Sequence, residues 1–237
     1  MLGGTLRVLH ASARTAGLPY EIVVVDDAST DATAEAARAH GAQVLSVNLR
    51  CIAAVRNAGA RVARGDVLAF VDADTLVGAE TLAAMLEALQ QGAVGGGARV
   101  RMDLHDASWA MRGLVEGTCR LLFHAGVAGG CFLFAQRAAF DAVGGFDERY
   151  FASEEIHFAR ALRRRGRFAM LSAAVLSSGR KLRLFPGWEL AREVLGVVRG
   201  GLAAVRRRDR LDFWYDGRRE TVDRRRSLAA HPDTGKR

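Results

Sequence analysis

The chain has 237 residues, half of them hydrophobic and a quarter charged, and carries a net charge of +8. That is enough to bury an α/β core, and no internal repeat, low-complexity tract, signal peptide or membrane-spanning apolar stretch is read in it. Cys51, Cys119 and Cys131 are odd in number and lack metal-ligand spacing, which fits a reduced, cytoplasmic setting rather than a disulfide or metal framework.

In chain order, Met1 to Leu9 reads as the start of a helix. Residues 21–25, Glu-Ile-Val-Val-Val, form a buried-strand run that stops on Asp26 and Asp27. Adjacent carboxylates repel unless a donor or cation compensates them, and a nucleobase N–H or ribose hydroxyls could do so. Ser29, Thr30 or Asp31 can cap a helix over 31–39, so part of this segment needs no further role. A strand over 42–47 and a helix over 52–63 follow, the helix carrying Arg56 and Asn57. Arg56 is either a solvated helix residue or a group near an anion.

The run over 67–71, Val-Leu-Ala-Phe-Val, ends on Asp72 and Asp74. An apolar run of that length suits a strand buried on both faces, and open α/β sheets bind ligands at carboxyl strand ends. Side chains two apart on an extended backbone point the same way, so the two acids can converge on a divalent cation, or on a ribose hydroxyl plus a cation. The plainer reading is an Asp-rich turn. Beyond it, a helix over 79–91, a strand over 94–100, a helix over 107–124 and a strand over 131–135 are expected. Gly129 and Gly130 open the last strand and permit close approach of a sugar or acceptor, or mark a turn. Ser153 is expected to cap a helix over 154–165, with Glu154 and Glu155 in its first turn, where acids also complement the helix dipole. After a strand over 168–175 come Arg180 and Lys181, suited to a diphosphate or to a solvated loop. The alternation predicts an α/β fold with a mostly parallel sheet flanked by helices.

Five ordered segments now carry a resemblance: Val-Val-Val-Asp-Asp-Ala-Ser-Thr-Asp at 23–31, Val-Arg-Asn-Ala-Gly-Ala at 55–60, Gly-Asp-Val-Leu-Ala-Phe-Val-Asp-Ala-Asp-Thr at 65–75, Val-Gly-Gly-Phe-Asp-Glu at 143–148 and Ser-Glu-Glu at 153–155. Together they resemble the family 2 glycosyltransferases, which have the Rossmann-like GT-A fold and a DxD motif. The resemblance implies a nucleotide-sugar donor, UDP-, GDP- or dTDP-linked, held with Mg²⁺ or Mn²⁺. It implies that Asp27 contacts the nucleobase, Asp72 the ribose and Asp74 the cation bridging the diphosphate, with Arg56 near the nucleotide; Asp26, Arg180 and Lys181 are counted as nucleotide-sugar-binding on their own chemistry. Gly129 and Gly130 would lie at the acceptor or sugar. The family's catalytic base is usually the Asp of a Glu-Asp pair, and the matched position here is Glu155, with Glu154 the alternative. Inversion of configuration is likewise an implication of the family. His157 is a candidate assistant or a packing residue, and Asn57 and Asp147 read as structural.

The family opens with a strand ahead of its first helix, and this sequence lacks it, so the expectation is a natural start lying upstream. The expected organisation is a transferase domain over 1–181, a C-terminal extension over 182–226 and a disordered tail over 227–237. In the extension, Leu184, Trp188, Ala191, Leu195, Val198, Leu202 and Val205 fall at helical spacing beside Arg192, Arg199 and Arg206. That pattern fits a helix packed on the domain or one lying peripherally on an anionic membrane surface, near a lipid-linked acceptor. Two other functions stay open: a non-catalytic or impaired nucleotide-sugar binder, and a nucleic-acid binder. No nucleic-acid motif accompanies the C-terminal basic charge, so no nucleic acid is expected as partner.

Overall fold

The computed structural model of the chain describes residues 1–17, 19–105 and 107–180. The expected extension and tail, and Lys181, lie outside the described residues. In order the elements are α1 (Leu2–Thr15), β1 (Val23–Asp27), α2 (Thr33–Ala39), β2 (Gln43–Val47), α3 (Ile52–Val62), β3 (Val67–Val71), β4 (Thr75–Leu76), α4 (Ala79–Gln90), β5 (Ala93–Asp103), α5 (Trp109–His124), β6 (Phe132–Gln136), α6 (Arg137–Val143), α7 (Glu154–Arg163) and β7 (Arg167–Ser178). None of the described helices is long and apolar enough to cross a membrane.

The fold is α/β, as its alternating pattern requires. A five-stranded sheet has the order β3-β6-β5-β7-β4, and β1 and β2 form a separate parallel pair. Within the larger sheet β5 and β7 are parallel, whereas β6 is antiparallel to both β3 and β5, and β4 is antiparallel to β7. The strands β3, β5 and β7 therefore share one direction, and β6 and the two-residue β4 oppose it. Among the described residues no strand precedes α1, and β1 and β3 are not paired.

Strand β6 shows why its first four residues are all apolar. Phe132, Leu133, Phe134 and Ala135 are all fully buried. Period-two alternation sends Phe132 and Phe134 to one side, against Val77, Leu82 and Met85, and Leu133 and Ala135 to the other, against Ala53, Phe140 and Leu162. Helix α1 packs Leu9 and Ala13 into the first of these layers, while Leu6 joins Val24, Ala37 and Val44 beside β1 and β2. The second layer contains four buried phenylalanines. Phe146 stacks on Phe158 with centroids 4.1 Å apart and meets Phe70 edge-on at 4.9 Å, and Phe140 closes the group. This cluster fixes where α3, β3 and the start of α7 stand relative to one another.

Candidate active site

The site is organised by Arg56. It projects from α3, and its Nη1 donates to Glu154 Oε1 at 2.8 Å. Its Nη2 donates to Asp72 Oδ1 at 3.1 Å and to the Gly130 carbonyl at 2.7 Å. The guanidinium carbon lies 5.3 Å from the centre of the Phe146 ring, so the aromatic cluster forms its floor. Only 11% of the Arg56 side chain is exposed, which rules out the solvated-helix reading. A planar fork with several donors can serve three acceptors at once; a lysine ammonium cannot match that geometry.

The acids sit where the chain changes element. Strand β3 ends at Val71, and a turn over Asp72–Thr75 is closed by Thr75 N–H donating to the Asp72 carbonyl at 3.0 Å. Of the two arrangements open to Asp72 and Asp74, the structure does not bring them to one shared point. The backbone turns rather than continuing extended, and Asp72 goes to Arg56 while Asp74 Oδ2 faces Arg180 Nη2 at 3.9 Å. Arg180 is carried there because β7 pairs antiparallel with β4, Thr75 opposite Ser177, and the Ser178 N–H donates to the Asp74 carbonyl at 3.2 Å. Arg180 Nε is buried with no hydrogen-bond partner among the described residues.

Helix α7 begins at Glu154. Ser153 occupies the N-cap position, but its side chain makes no capping hydrogen bond because its backbone is left-handed, with φ 61°. Ala28 and Arg50, the other non-glycine residues with positive φ among those described, flank Asp27 and the entry to α3. All three left-handed residues thus border the acids, where strained backbone is often found. Glu154 is buried and Glu155 half-buried. Gly130 lies so close to Glu155 that a Cβ there would come within 3.4 Å of its Cδ, and at Gly129 a Cβ would come within 2.5 Å of Val100. Both glycines lie in the turn before β6 rather than in the strand.

One guanidinium thus faces three carboxylates. Burial, then the charge of Glu155, pushes Glu154 up to about 7 against the opposing pull of Arg56. Glu155, hydrogen-bonded to Glu154, is also raised, chiefly by burial. Arg56 is held above its ordinary range: burial opposes this, but Asp72, Glu154 and Glu155 outweigh it.

The other predicted residues stand apart from this cluster. Asp27 accepts from the backbone N–H groups of Leu49 at 2.6 Å and Arg50 at 2.8 Å, and buried Asp26 accepts from Ser29 N–H at 3.2 Å. Backbone amides compensate both carboxylates, so their pairing requires no ligand. Asn57 clamps the segment before α7 by donating to the Phe146 carbonyl and Glu148 and accepting from Phe146 N–H, while Asp147 pairs with Arg149. His157 lies flat on Tyr150, centroids 3.8 Å apart.

Two features were missed from sequence. Phe146 is the floor under Arg56, and a glycine-rich run gave no sign of it. Cys131 lies beside the acids, its thiol pushed up to about 12 by burial and then by Asp72, against hydrogen bonds from Thr75 and Ser177. A thiol so raised is inert as a nucleophile.

As to a divalent metal, no group of three His, Cys, Asp or Glu side chains converges among the described residues. Asp74 offers a hard carboxylate donor of the kind that suits Mg²⁺ or Mn²⁺ if substrate oxygens and water complete the shell.

The fold is that of the GT-A glycosyltransferases, and the solved structures agree. The chain superposes on mannosyl-3-phosphoglycerate synthase from Rubrobacter xylanophilus with a TM-score of 0.57 and 24% identity, covering 88% of this chain and 70% of that one. For the mannosyltransferase PcManGT from Pyrobaculum calidifontis, solved with GDP-Man and Mn²⁺, the values are 0.56 and 20%, over 82% and 59%. For glucosyl-3-phosphoglycerate synthase from Mycobacterium tuberculosis, solved with Mn²⁺ and UDP-glucose, they are 0.55 and 18%, over 83% and 73%. Comparison with curated protein sequences finds no match. The family profile for glycosyl transferase family 2 matches residues 3–144, and the chain belongs to that family.

Proposed function

We propose that the chain transfers a sugar from a nucleoside diphosphate sugar to an acceptor hydroxyl in a single inverting displacement. The observation that carries this is the Arg56 tie, which draws Asp72 from the end of β3, Gly130 from the acceptor-side turn and Glu154 from the start of α7 into one cluster. Donor-side and acceptor-side groups are thereby neighbours, as an in-line displacement needs.

In this reading Asp26 and Asp27 border the nucleobase and Asp72 the ribose. Asp74 would hold Mg²⁺ or Mn²⁺, whose chemistry is to neutralise charge on the departing diphosphate. Arg180 stands beside Asp74 with a buried Nε–H that has no partner among the described residues and can donate to a diphosphate oxygen; Lys181 follows it. Gly129 and Gly130 leave room for the sugar or the acceptor. Glu155 accepts the acceptor hydroxyl's proton, and its raised pKa makes it a stronger base near neutral pH than an ordinary glutamate. Glu154 is engaged by Arg56 and serves as its counter-ion. The solved neighbours bound to GDP-Man or UDP-glucose support a nucleotide-sugar donor.

The test is Glu155→Gln. Transfer falls by at least about a hundredfold while donor affinity is kept, because only proton acceptance is removed. Unchanged turnover would remove Glu155 from this role.

A further inference from the structure

Helix α1 packs one face into the core and carries basic residues on another. Leu6, Leu9 and Ala13 face inward. Arg7, His10 and Arg14, spaced three and then four residues apart, fall together on a neighbouring face. With His40 from the end of α2 they line a cleft of about 430 Å³, inside the roughly 300–1,000 Å³ range of small-molecule sites. Among the described residues no carboxylate lines it. Arg7 and Arg14 are exposed, and among the described residues neither guanidinium has an ion-pair or hydrogen-bond partner. The helix itself is fixed, because Thr5 donates to the Ala73 carbonyl at 3.0 Å and Ser12 to the Val77 carbonyl at 2.8 Å.

The two histidines differ in what they leave free. His10 Nε2 lies 2.7 Å from the His40 carbonyl, which only accepts, so this nitrogen carries a proton. Its Nδ1 lies 2.8 Å from the Tyr20 hydroxyl. Both His10 nitrogens are thus taken, and the ring braces the end of α2 against α1. His40 Nδ1 donates to the Ala36 carbonyl at 2.8 Å, which leaves Nε2 as the nitrogen open to a ligand. The His40 ring lies against Gly3, where a Cβ would come within 3.0 Å of Cε1 and 3.2 Å of Nε2. Arg7 Nη1 is 3.8 Å from that same point, so the open imidazole nitrogen and a guanidinium stand side by side.

A phosphomonoester matches this set of groups. Its oxygens take a bidentate guanidinium on one side and a second guanidinium on another, and two such charges balance a dianion. His40 Nε2 can accept from a phosphate oxygen that keeps its proton or, when protonated, donate to one that has lost it. The cleft leaves room beside the phosphate for the group to which it is esterified. We propose that the cleft between α1 and α2 binds a phosphomonoester, free or as a lipid headgroup, through Arg7, Arg14 and His40 Nε2. The site needs neither the sugar donor nor the cation, so its test is separate from that of the transfer reaction.

Histidine-ring NMR of the full chain, titrated with inorganic phosphate in metal-free buffer at constant ionic strength, tests this, with chloride as the control salt. His40→Gln assigns the His40 signal. Arg7→Gln/Arg14→Gln removes two exposed charges and leaves the core intact, and Arg180→Gln removes the guanidinium beside Asp74. Millimolar phosphate should shift the His40 ring saturably; the double variant should weaken binding by about tenfold or more, and Arg180→Gln should leave it unchanged. Co-sedimentation with vesicles containing phosphatidic acid but not phosphatidylglycerol, lost in the double variant, would make a lipid headgroup the source. Phosphate binding without that co-sedimentation would make the source a soluble ester, and either result supports the site. A His40 signal that chloride moves as phosphate does, or that fails to saturate by about 50 mM phosphate, overturns the proposal. So does saturable binding that Arg180→Gln abolishes and the double variant keeps, which would put the phosphate beside Asp74.

Discussion

Replacing Glu154 by Gln isolates the cost of packing three carboxylates around one guanidinium. Gln keeps the shape and an oxygen for the Arg56 Nη1–H but cannot ionise. The folded-state pKa of Glu154 is about 7 against an ordinary 4.5, so between those values the folded chain binds more protons than the unfolded one. Stability from this group is therefore present below pH 4.5 and lost as pH rises towards 7. A shift of that size corresponds to about 3 kcal/mol at most, and with 5% of the side chain exposed little of it is screened by solvent. Urea denaturation of both proteins at pH 5 and pH 8 measures it. The variant should gain on the parent by up to about 3 kcal/mol between the two pH values, with the window belonging to the Glu154–Glu155 pair as a unit. A stability difference that is independent of pH, or one that favours the parent at pH 8, refutes the reasoning.

Three further outcomes follow from the same geometry. Arg56→Met should destabilise the fold by about 3–5 kcal/mol in chemical denaturation, and Arg56→Lys should recover only part of this because one ammonium cannot reach Glu154, Asp72 and the Gly130 carbonyl together. Gly145→Ala should cost about 2–3 kcal/mol, since its φ is +74° and the new methyl would lie 2.6 Å from Asn57 Oδ1; a neutral substitution would show that the Asn57 clamp is not rigid. Cys131 should react with iodoacetamide at pH 8.5 about three orders of magnitude more slowly than a free thiol until the protein unfolds, and labelling at the free rate would contradict its raised pKa.

The elements that long apolar runs specify were legible in the sequence. Strand β3 was expected over 67–71 and is Val67–Val71; α3 was expected over 52–63 and is Ile52–Val62. Helix α6 went unnoticed because no capping residue marks its start as Ser29, Thr30 or Asp31 mark that of the equally short α2, and β4 because two residues show no period. The antiparallel entry of β6 is invisible to composition: a strand buried on both faces reads the same in either direction. At the site, the acids were legible as residues but not as partners. Asp72 and Asp74 diverge because a turn follows β3, and the compensation of Asp27 comes from Leu49 and Arg50 amides, whose side chains carry no signal of it. The partnership of Arg56 with Glu154 spans 98 residues and depends on the phenylalanine cluster that brings α3 and α7 together.

The central claim is that the acid-bearing strand ends hold a nucleotide-sugar donor with a divalent cation. Isothermal titration of the full chain with UDP-, GDP- and dTDP-sugars, with and without Mn²⁺, and of Asp74→Ala in parallel, tests it most directly. The account predicts that one donor binds, that Mn²⁺ is required, and that Asp74→Ala abolishes the metal dependence. A folded chain that binds none of these donors in the presence of Mn²⁺, or an Asp74→Ala variant that binds one as the parent does, would contradict it.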